Sequence, residues 1–438
     1  MNNTFRSADI LLPKTGVDPY KWSVVACDQY TSEPEYWEKV NEIVGDAPST
    51  YKLTLPEVYL NDPDVEERLA RIGKTMEEYL AADIFTEYKD AMIYVERTDS
   101  TGKVRAGIVG AIDLEQYDYH KGSTSLVRAT ETTVIERIPP RIKVRKSAKI
   151  ELPHIMILID DREKTVVEPL ADADLPVLYD FDMMQGGGHL KGFLLDAGAQ
   201  EKVQQALAAL GDPQHFNDLY GLKDTPVLLY AMGDGNHSLA TAKEFYEQLK
   251  AANPGKDLSS HPARYALVEI VNLHSEALEF EAIHRIVEEI DVPAMMAEMT
   301  VALGLVRDER MDLGKKSQED LAYILGEGVQ QLVVVDHGHK TAYTITKPTS
   351  KLTVGSLQGF LDEYLKKNGG KIDYIHGEEG IMTLARKENS VGFLLPDMGK
   401  EELFPTVIAD GALPRKTFSM GHAQDKRFYM EARKITEE

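Results

Sequence analysis

Pro226-Val-Leu-Leu-Tyr-Ala-Met-Gly-Asp-Gly-Asn-His-Ser-Leu-Ala-Thr-Ala-Lys243 is the stretch that decides the fold. Val227 to Ala231 is an apolar run bounded by Pro226, which predicts a buried strand. Gly233, Asp234, Gly235 and Asn236 then predict a tight turn, because glycine and Asx residues accept the backbone angles a turn requires. Leu239, Ala242, Phe245, Tyr246 and Leu249 recur at helical spacing, so a helix follows. A strand, a polar loop and a helix N-terminus in that order form a place where backbone N–H groups hold phosphate. Asp234 and His237 are the chemically capable side chains of the loop. The same residues also suit a connecting turn with an Asn or Ser cap; the density of Asp-Gly-Asn-His-Ser favours a site. The loop is neither a Walker A motif, since Lys243 comes too late, nor G-x-G-x-x-G.

Working outward, 438 residues at 43% hydrophobic composition suffice for two or three domains with proper cores. A net charge of −23 argues against binding duplex DNA or an anionic membrane surface. Cys27 is the single cysteine, so an intramolecular disulfide is impossible and a thiolate zinc site is disfavoured. No apolar run approaches the ~20 residues of a membrane span. Met1-Asn-Asn-Thr-Phe-Arg-Ser7 lacks a signal-peptide core, so a cytoplasmic protein is expected.

Along the chain, Trp22 to Ala26 predicts a short strand ending near Asp28. Ser32 and Glu35 have capping-box spacing and open a helix that runs to Gly45. A second helix is expected from Asp62-Pro63 to Asp83, and a hairpin from Met92–Arg97 and Arg105–Asp113 around Asp99-Ser-Thr-Gly102. Tyr117 to Arg145 is the most basic stretch of an acidic chain, holding Lys121, Arg128, Arg137, Arg141, Lys143 and Arg145 together with Glu131. It suits either a solvated loop and helix, or an arm that brings cations and a carboxylate to an anionic substrate. His154–Ile159 and Thr165–Leu170 read as a strand pair, Asp196–Leu210 as a helix and Ala263–Asn272 as an apolar strand. His284-Arg285 beside that strand suits a surface pair or an anion clamp. From about Val292, helices (Pro293–Leu303, Gln318–Leu325, Val354–Lys367, Glu378–Lys387) alternate with strands (Gln331–Asp336, Thr341–Thr346, Val391–Leu395). The expected division is 1–290, an α+β region carrying the Asp-Gly-Asn-His box, and 291–438, an α/β region whose tail returns to the site.

Four segments, in order, resemble a prokaryotic domain-of-unknown-function family, number ten-fifteen. Asp234-Gly-Asn-His-Ser238 resembles its Asp-Gly-His-His-Arg box, and Thr130-Glu131-Thr132 its His-Glu-x-Thr segment. Phe280-Glu-Ala-Ile-His-Arg285 resembles its Pro-Thr-His-Arg segment, and Gly411-Ala-Leu-Pro-Arg-Lys-Thr-Phe418 its C-terminal Met-Pro-x-Lys-Ser-Thr-x-Phe signature. Asn236, Ser238 and Thr130 depart from the His, Arg and His usual there, and the missing Arg removes a phosphate contact. The resemblance implies an α/β (α+β) fold with a ParB/sulfiredoxin-like nucleotide-binding core and an additional mixed α/β region. It also implies kinship with free L-serine kinases, which make O-phosphoserine. Sulfiredoxin chemistry itself is excluded, because Cys27 lies far from the box.

On that basis the expected function is transfer of a phosphoryl group from ATP or ADP, with Mg²⁺, to free serine or a similar hydroxyl compound. Glu131 is the expected base, Asp234 the Mg²⁺ ligand or second base, and His237 a third catalytic residue. Gly233, Gly235, Asn236, Ser238 and Arg128 would hold the nucleotide, while Asp28, His284, Arg285 and Lys416 would hold the substrate. The expected partners are nucleotide and small molecule, with neither nucleic acid nor membrane, and a homodimer is allowed. The alternatives are a nucleotide-binding regulator without turnover and a metal-dependent phosphohydrolase.

Overall fold

A computed structural model describes residues 4–31, 33–132, 138–308 and 329–437. Ser32, Arg137 and the helix expected over 318–325 lie outside the described residues. The protein is a mixed α/β structure in two compact units. The first comprises Met1–Ala129, Thr133–Leu278 and Gly421–Glu438; the second comprises Thr130–Thr132 and Glu279–Met420. This division differs from one at 290/291: the strand Phe280–Glu288 belongs to the second unit and the final segment to the first.

The first unit is built on a mixed sheet. Its order is Val177–Asp182, His189–Leu194, Ile93–Thr98, Val104–Asp113, Tyr265–Asn272, Met156–Ile159, Tyr230–Asp234, Val127–Arg128 and Tyr117–Asp118. The expected hairpin forms, with Ile93 opposite Val109 and the Asp99 carboxylate accepting from the Thr101 and Lys103 amides in its turn. Tyr265–Asn272 shows why the central strands read as continuous apolar runs. Ala266, Val268 and Ile270 enter one core with Ile108, Ile112, Ile157 and Met232, while Leu267 enters another with Ile93, Val95, Val109 and Trp22. A strand covered on both faces has no reason to alternate apolar and polar residues. The helix Ala197–Leu210 begins as expected, with Asp196 accepting from the Ala199 amide.

Several local expectations are corrected. Trp22 ends a helical turn, Pro19–Trp22, because Asp18 caps it and Pro19 presets its first position; only Val25 makes an isolated bridge, to Arg427. The helix expected from Asp62 starts at Val65, and the one expected to be capped by Ser32 starts at Pro34, with Glu33 flanking it. Thr165–Leu170 is not a strand. The buried Asp161 carboxylate takes the Thr165 and Val166 amides at 2.6 and 2.8 Å, and a 3₁₀ turn, Glu168–Asp172, follows. The central strand is Tyr230–Asp234, shifted toward the polar box, so Gly233 and Asp234 are strand residues rather than turn residues.

The second unit holds an antiparallel sheet in the order Leu305–Arg307, His339–Ile345, Gln330–Asp336, Ser390–Leu394, Phe280–Glu288 and Lys371–His376. Phe418–Met420 also pairs with Phe280–Glu288. Ile286, Val333, Val335, Ala342 and Leu394 pack with Ile381 of the helix Glu378–Leu384 and with Ala385 at its C-cap. Glu131 bridges Leu413 in parallel, and the Leu413 amide donates to the Thr130 carbonyl at 2.6 Å.

Candidate functional site

The candidate residues fall into two sets, one in each unit. In the first, the strand Tyr230–Asp234 passes through Gly235 directly into the helix Asn236–Ala252. Gly235 has φ +82°, and a Cβ there would stand 3.1 Å from the Ile155 side chain, so both conformation and space demand glycine. The N-cap residue is Gly235, which has no side chain to offer the first amides, and the helix opens with Asn236, His237 and Ser238. Asp234 accepts from the Gly235 amide at 2.8 Å through Oδ1, and pairs with Lys426 Nζ at 3.1 Å through Oδ2. Ser238 Oγ lies 2.9 Å from His154 Nε2, and the His154 ring packs edge-on against Phe428. His154 Nδ1 and Asn236 Oδ1 are buried without a hydrogen-bond partner among the described residues. The His237 carbonyl accepts from Thr241 Oγ1 at 2.7 Å.

Asp28 joins this set through charge. Burial pushes its carboxyl up, but His154, a 2.9 Å hydrogen bond from Gln29 and the Lys426 ammonium outweigh burial and hold it below the usual carboxylate range. Lys426 is brought there by backbone pairing: its carbonyl accepts from Ala26 N at 2.8 Å, and Phe428 N donates to the Val24 carbonyl at 2.9 Å. Arg128 is 5% exposed and is used architecturally. It donates to the Ser125, Pro226 and Val227 carbonyls at 2.7, 3.0 and 3.2 Å, securing the approach to the central strand.

In the second unit, Glu131 is half-buried beside the 413–417 loop and accepts from the Thr417 amide at 3.4 Å. Burial raises its carboxyl above the ordinary value despite opposing contributions from Lys416, two backbone amides and Arg285. Lys416 is exposed, with φ +55°. Arg285 is fully buried. It donates to Gln358 Oε1 at 3.1 Å, to the Lys416 and Arg415 carbonyls at 2.9 and 3.0 Å, and to the Ile283 carbonyl. Its guanidinium also faces the Tyr374 ring at 5.1 Å. Arg285 therefore shapes the loop that carries Lys416. His284 Nδ1 accepts from the Leu395 amide at 3.2 Å, and burial, with Arg285 adjacent, pushes the imidazole down to about 4, so the ring is neutral at physiological pH.

His154 and Lys426 are the site residues that sequence reasoning missed. His154 stands at the start of an expected strand, and Lys416 is the tail residue expected at the site. Neither position carries a local signal, because both reach the elbow through tertiary pairing.

For Mg²⁺, no group of three or more His, Cys, Asp or Glu side chains is gathered among the described residues. Magnesium needs only one or two carboxylates beside phosphate oxygens and water. Asp234 and Asp28 are oxygen donors of that chemistry, and the Lys426 ammonium already acts on both. Among the described residues no helix is long and apolar enough to cross a membrane.

The profile of a family described as "Protein of unknown function (DUF1015)" matches residues 11–364. No curated protein sequence matches the chain. Similar solved structures include a conserved hypothetical protein from Pyrococcus furiosus, with TM-score 0.37 and 12% identity over 76% of this chain and 96% of that one. A mutant free serine kinase in complex with ADP gives TM-score 0.39 and 12% identity over 76% and 93%. SbnI with C-terminal truncation from Staphylococcus aureus gives 0.35 and 9% over 72% and 82%. At these TM-scores the likeness carries no argument about the site, whose chemistry rests on its own residues.

Proposed function

The chain belongs to the DUF1015 family of proteins of unknown function, and from that premise we propose that it is a small-molecule kinase. It moves a phosphoryl group from ATP or ADP to free L-serine or a similar hydroxyl compound. The observation that carries this reading is the elbow at Gly235: a helix of 17 residues with glycine at its N-cap, entered directly from a sheet strand whose last residue, Asp234, meets the Lys426 ammonium. Such an end directs backbone N–H groups and the positive end of the helix dipole at an anion. Gly233 to Ser238 hold the phosphates, and Asp234 is the residue that would hold Mg²⁺, which when bound would neutralise phosphate charge. Glu131 is the residue to which the family resemblance assigns the base. A carboxyl raised by burial is better suited to accept the hydroxyl proton near neutral pH than an ordinary one. The oxygen so exposed bonds to the transferred phosphorus as the bond to the nucleotide's leaving oxygen breaks. Lys416 carries an exposed ammonium of the kind a carboxylate takes, and Asp28 an ionised carboxylate of the kind an ammonium takes, the two groups an amino-acid substrate calls for. The same reading takes the first unit as a ParB/sulfiredoxin-like core and the protein as cytoplasmic.

The test is phosphotransfer. The purified chain is incubated with Mg²⁺, ATP or ADP, and a pool of free amino acids and small alcohols, and products are read by mass. Phosphoserine, or another phosphorylated alcohol, is expected from the wild type, with E131Q and D234N each reduced at least a hundredfold. Unchanged turnover in E131Q would remove the base assignment. Ser238 favours a second reading, because a hydroxyl already bonded to His154 stands where the family's box carries a basic residue. Nucleotide binding without product would establish that reading, a regulator without turnover.

A further inference from the structure

We propose that Lys426 is the residue that recognises the phosphates of the nucleotide, so that the segment Gly421–Glu438 completes the anion site of the first unit. The proposal deepens the nucleotide-dependent reading and rests on it. Three independent features of the first unit support it.

The first is placement. Lys426 lies beyond residues 11–364 that match the family profile, yet it is fixed by the backbone rather than by a flexible approach. The Lys426 carbonyl accepts from Ala26 N, Arg427 bridges Val25, and Phe428 N donates to the Val24 carbonyl. These bonds lock the tail beside the segment that ends at Asp28, and the Lys426 ammonium meets Asp234 at 3.1 Å, two residues before the helix begins.

The second is charge. Lys426 acts on two carboxylates, Asp234 by direct pairing and Asp28 through its field. Both partners of the Asp234 pair keep about a quarter of their surface exposed, at 26% and 23%. The pair is therefore reachable from solvent, and an incoming phosphate can approach the ammonium from its exposed side. The helix end beside it favours the same anion.

The third is the unmet polar demand at the elbow. Asn236 Oδ1 and His154 Nδ1 are buried without a hydrogen-bond partner among the described residues. Buried polar groups are mostly paired; of these two, the His154 nitrogen can donate to an anion, whereas Asn236 Oδ1 only accepts and calls for a donor such as water. Both atoms belong to residues that frame the first turn of the helix, His154 through its 2.9 Å contact to Ser238.

The experiment is calorimetric titration of the full chain with ADP, AMP and adenosine, for wild type, K426M and K426R. Trp22 and Trp37, both buried in the first unit, report folding by fluorescence. Loss of one ammonium–phosphate contact is worth roughly tenfold to a hundredfold in affinity. K426M is expected to lose that factor for ADP, less for AMP and none for adenosine, while K426R recovers most of it. A structural ion pair would instead shift all three ligands together, or none, and either result overturns the assignment. Wild type that binds none of the three overturns the nucleotide reading and this assignment with it; wild type that binds ADP while K426M binds equally well overturns this assignment alone. A readout that needs no variant is reductive methylation of the wild-type chain, followed by peptide mass. ADP is expected to protect Lys426 and adenosine to leave it reactive, and equal reactivity with both refutes the proposal.

Discussion

Glu431 gives the first unit a pH dependence that one substitution removes. The side chain is 0% exposed, its Oε1 accepts from Tyr179 Oη at 2.6 Å, and its Oε2 is buried without a partner among the described residues. Burial, reinforced by nearby Glu269, pushes the carboxyl up from 4.5 to about 7, against the opposing effect of the Tyr179 hydrogen bond. That displacement is worth roughly 3 kcal/mol of stability between the two protonation states. The sign follows from linkage: the folded state holds the proton more tightly than the unfolded state. The contribution is therefore fully present below the unfolded value of 4.5 and is lost as pH rises through about 7. E431Q keeps a neutral, hydrogen-bonding side chain at every pH. Urea denaturation followed by tryptophan fluorescence reports this unit alone, since the chain's two tryptophans, Trp22 and Trp37, both lie in it. Between pH 5 and pH 8, the wild type is expected to lose roughly 2 kcal/mol or somewhat more relative to E431Q, since part of the contribution is already gone at pH 5. A difference between the two proteins that stays constant across that range would refute the assignment of a buried, proton-holding Glu431.

Arg285 buries its guanidinium under the 415–416 backbone, and R285M leaves the Lys416, Arg415 and Ile283 carbonyls without that donor. Each such loss costs roughly 1–3 kcal/mol, so limited trypsinolysis at Arg415 and Lys416 is expected to accelerate at least tenfold; an unchanged rate would mean the clamp does not hold the loop. Gly235→Ala places a Cβ at φ +82° against Ile155, and the left-handed conformation costs an L-residue about 1–2 kcal/mol. Lower stability by that amount, measured by tryptophan fluorescence, and weaker ADP binding are both expected; wild-type behaviour in both would show that the elbow does not require glycine.

The local rules of the chain were legible in its sequence because they depend on near neighbours. The Asp99-Ser-Thr-Gly102 hairpin and the Asp196 cap act over two to four residues, and the apolar run at 265–272 declares a strand covered on both faces. The Asp-Gly-Asn-His-Ser box announced a strand passing into a helix, although the strand begins at Tyr230 and absorbs Gly233 and Asp234, which were expected in the turn. Thr165–Leu170 misled because its apolar residues suit a strand, whereas the Asp161 carboxylate takes the amides a strand would need. Tertiary structure alone decided the use of the charged residues. Arg128 and Arg285 carry the same charge as any surface arginine, but burial turns their donors onto backbone carbonyls. Lys426 and His154 carry no motif and reach the elbow only because the last segment pairs with Val24 to Ala26 and the strand Met156–Ile159 lies antiparallel to Tyr230–Asp234. Spacing along a chain fixes backbone conformation over a few residues; where a charge comes to rest depends on contacts hundreds of residues apart, which no local pattern encodes.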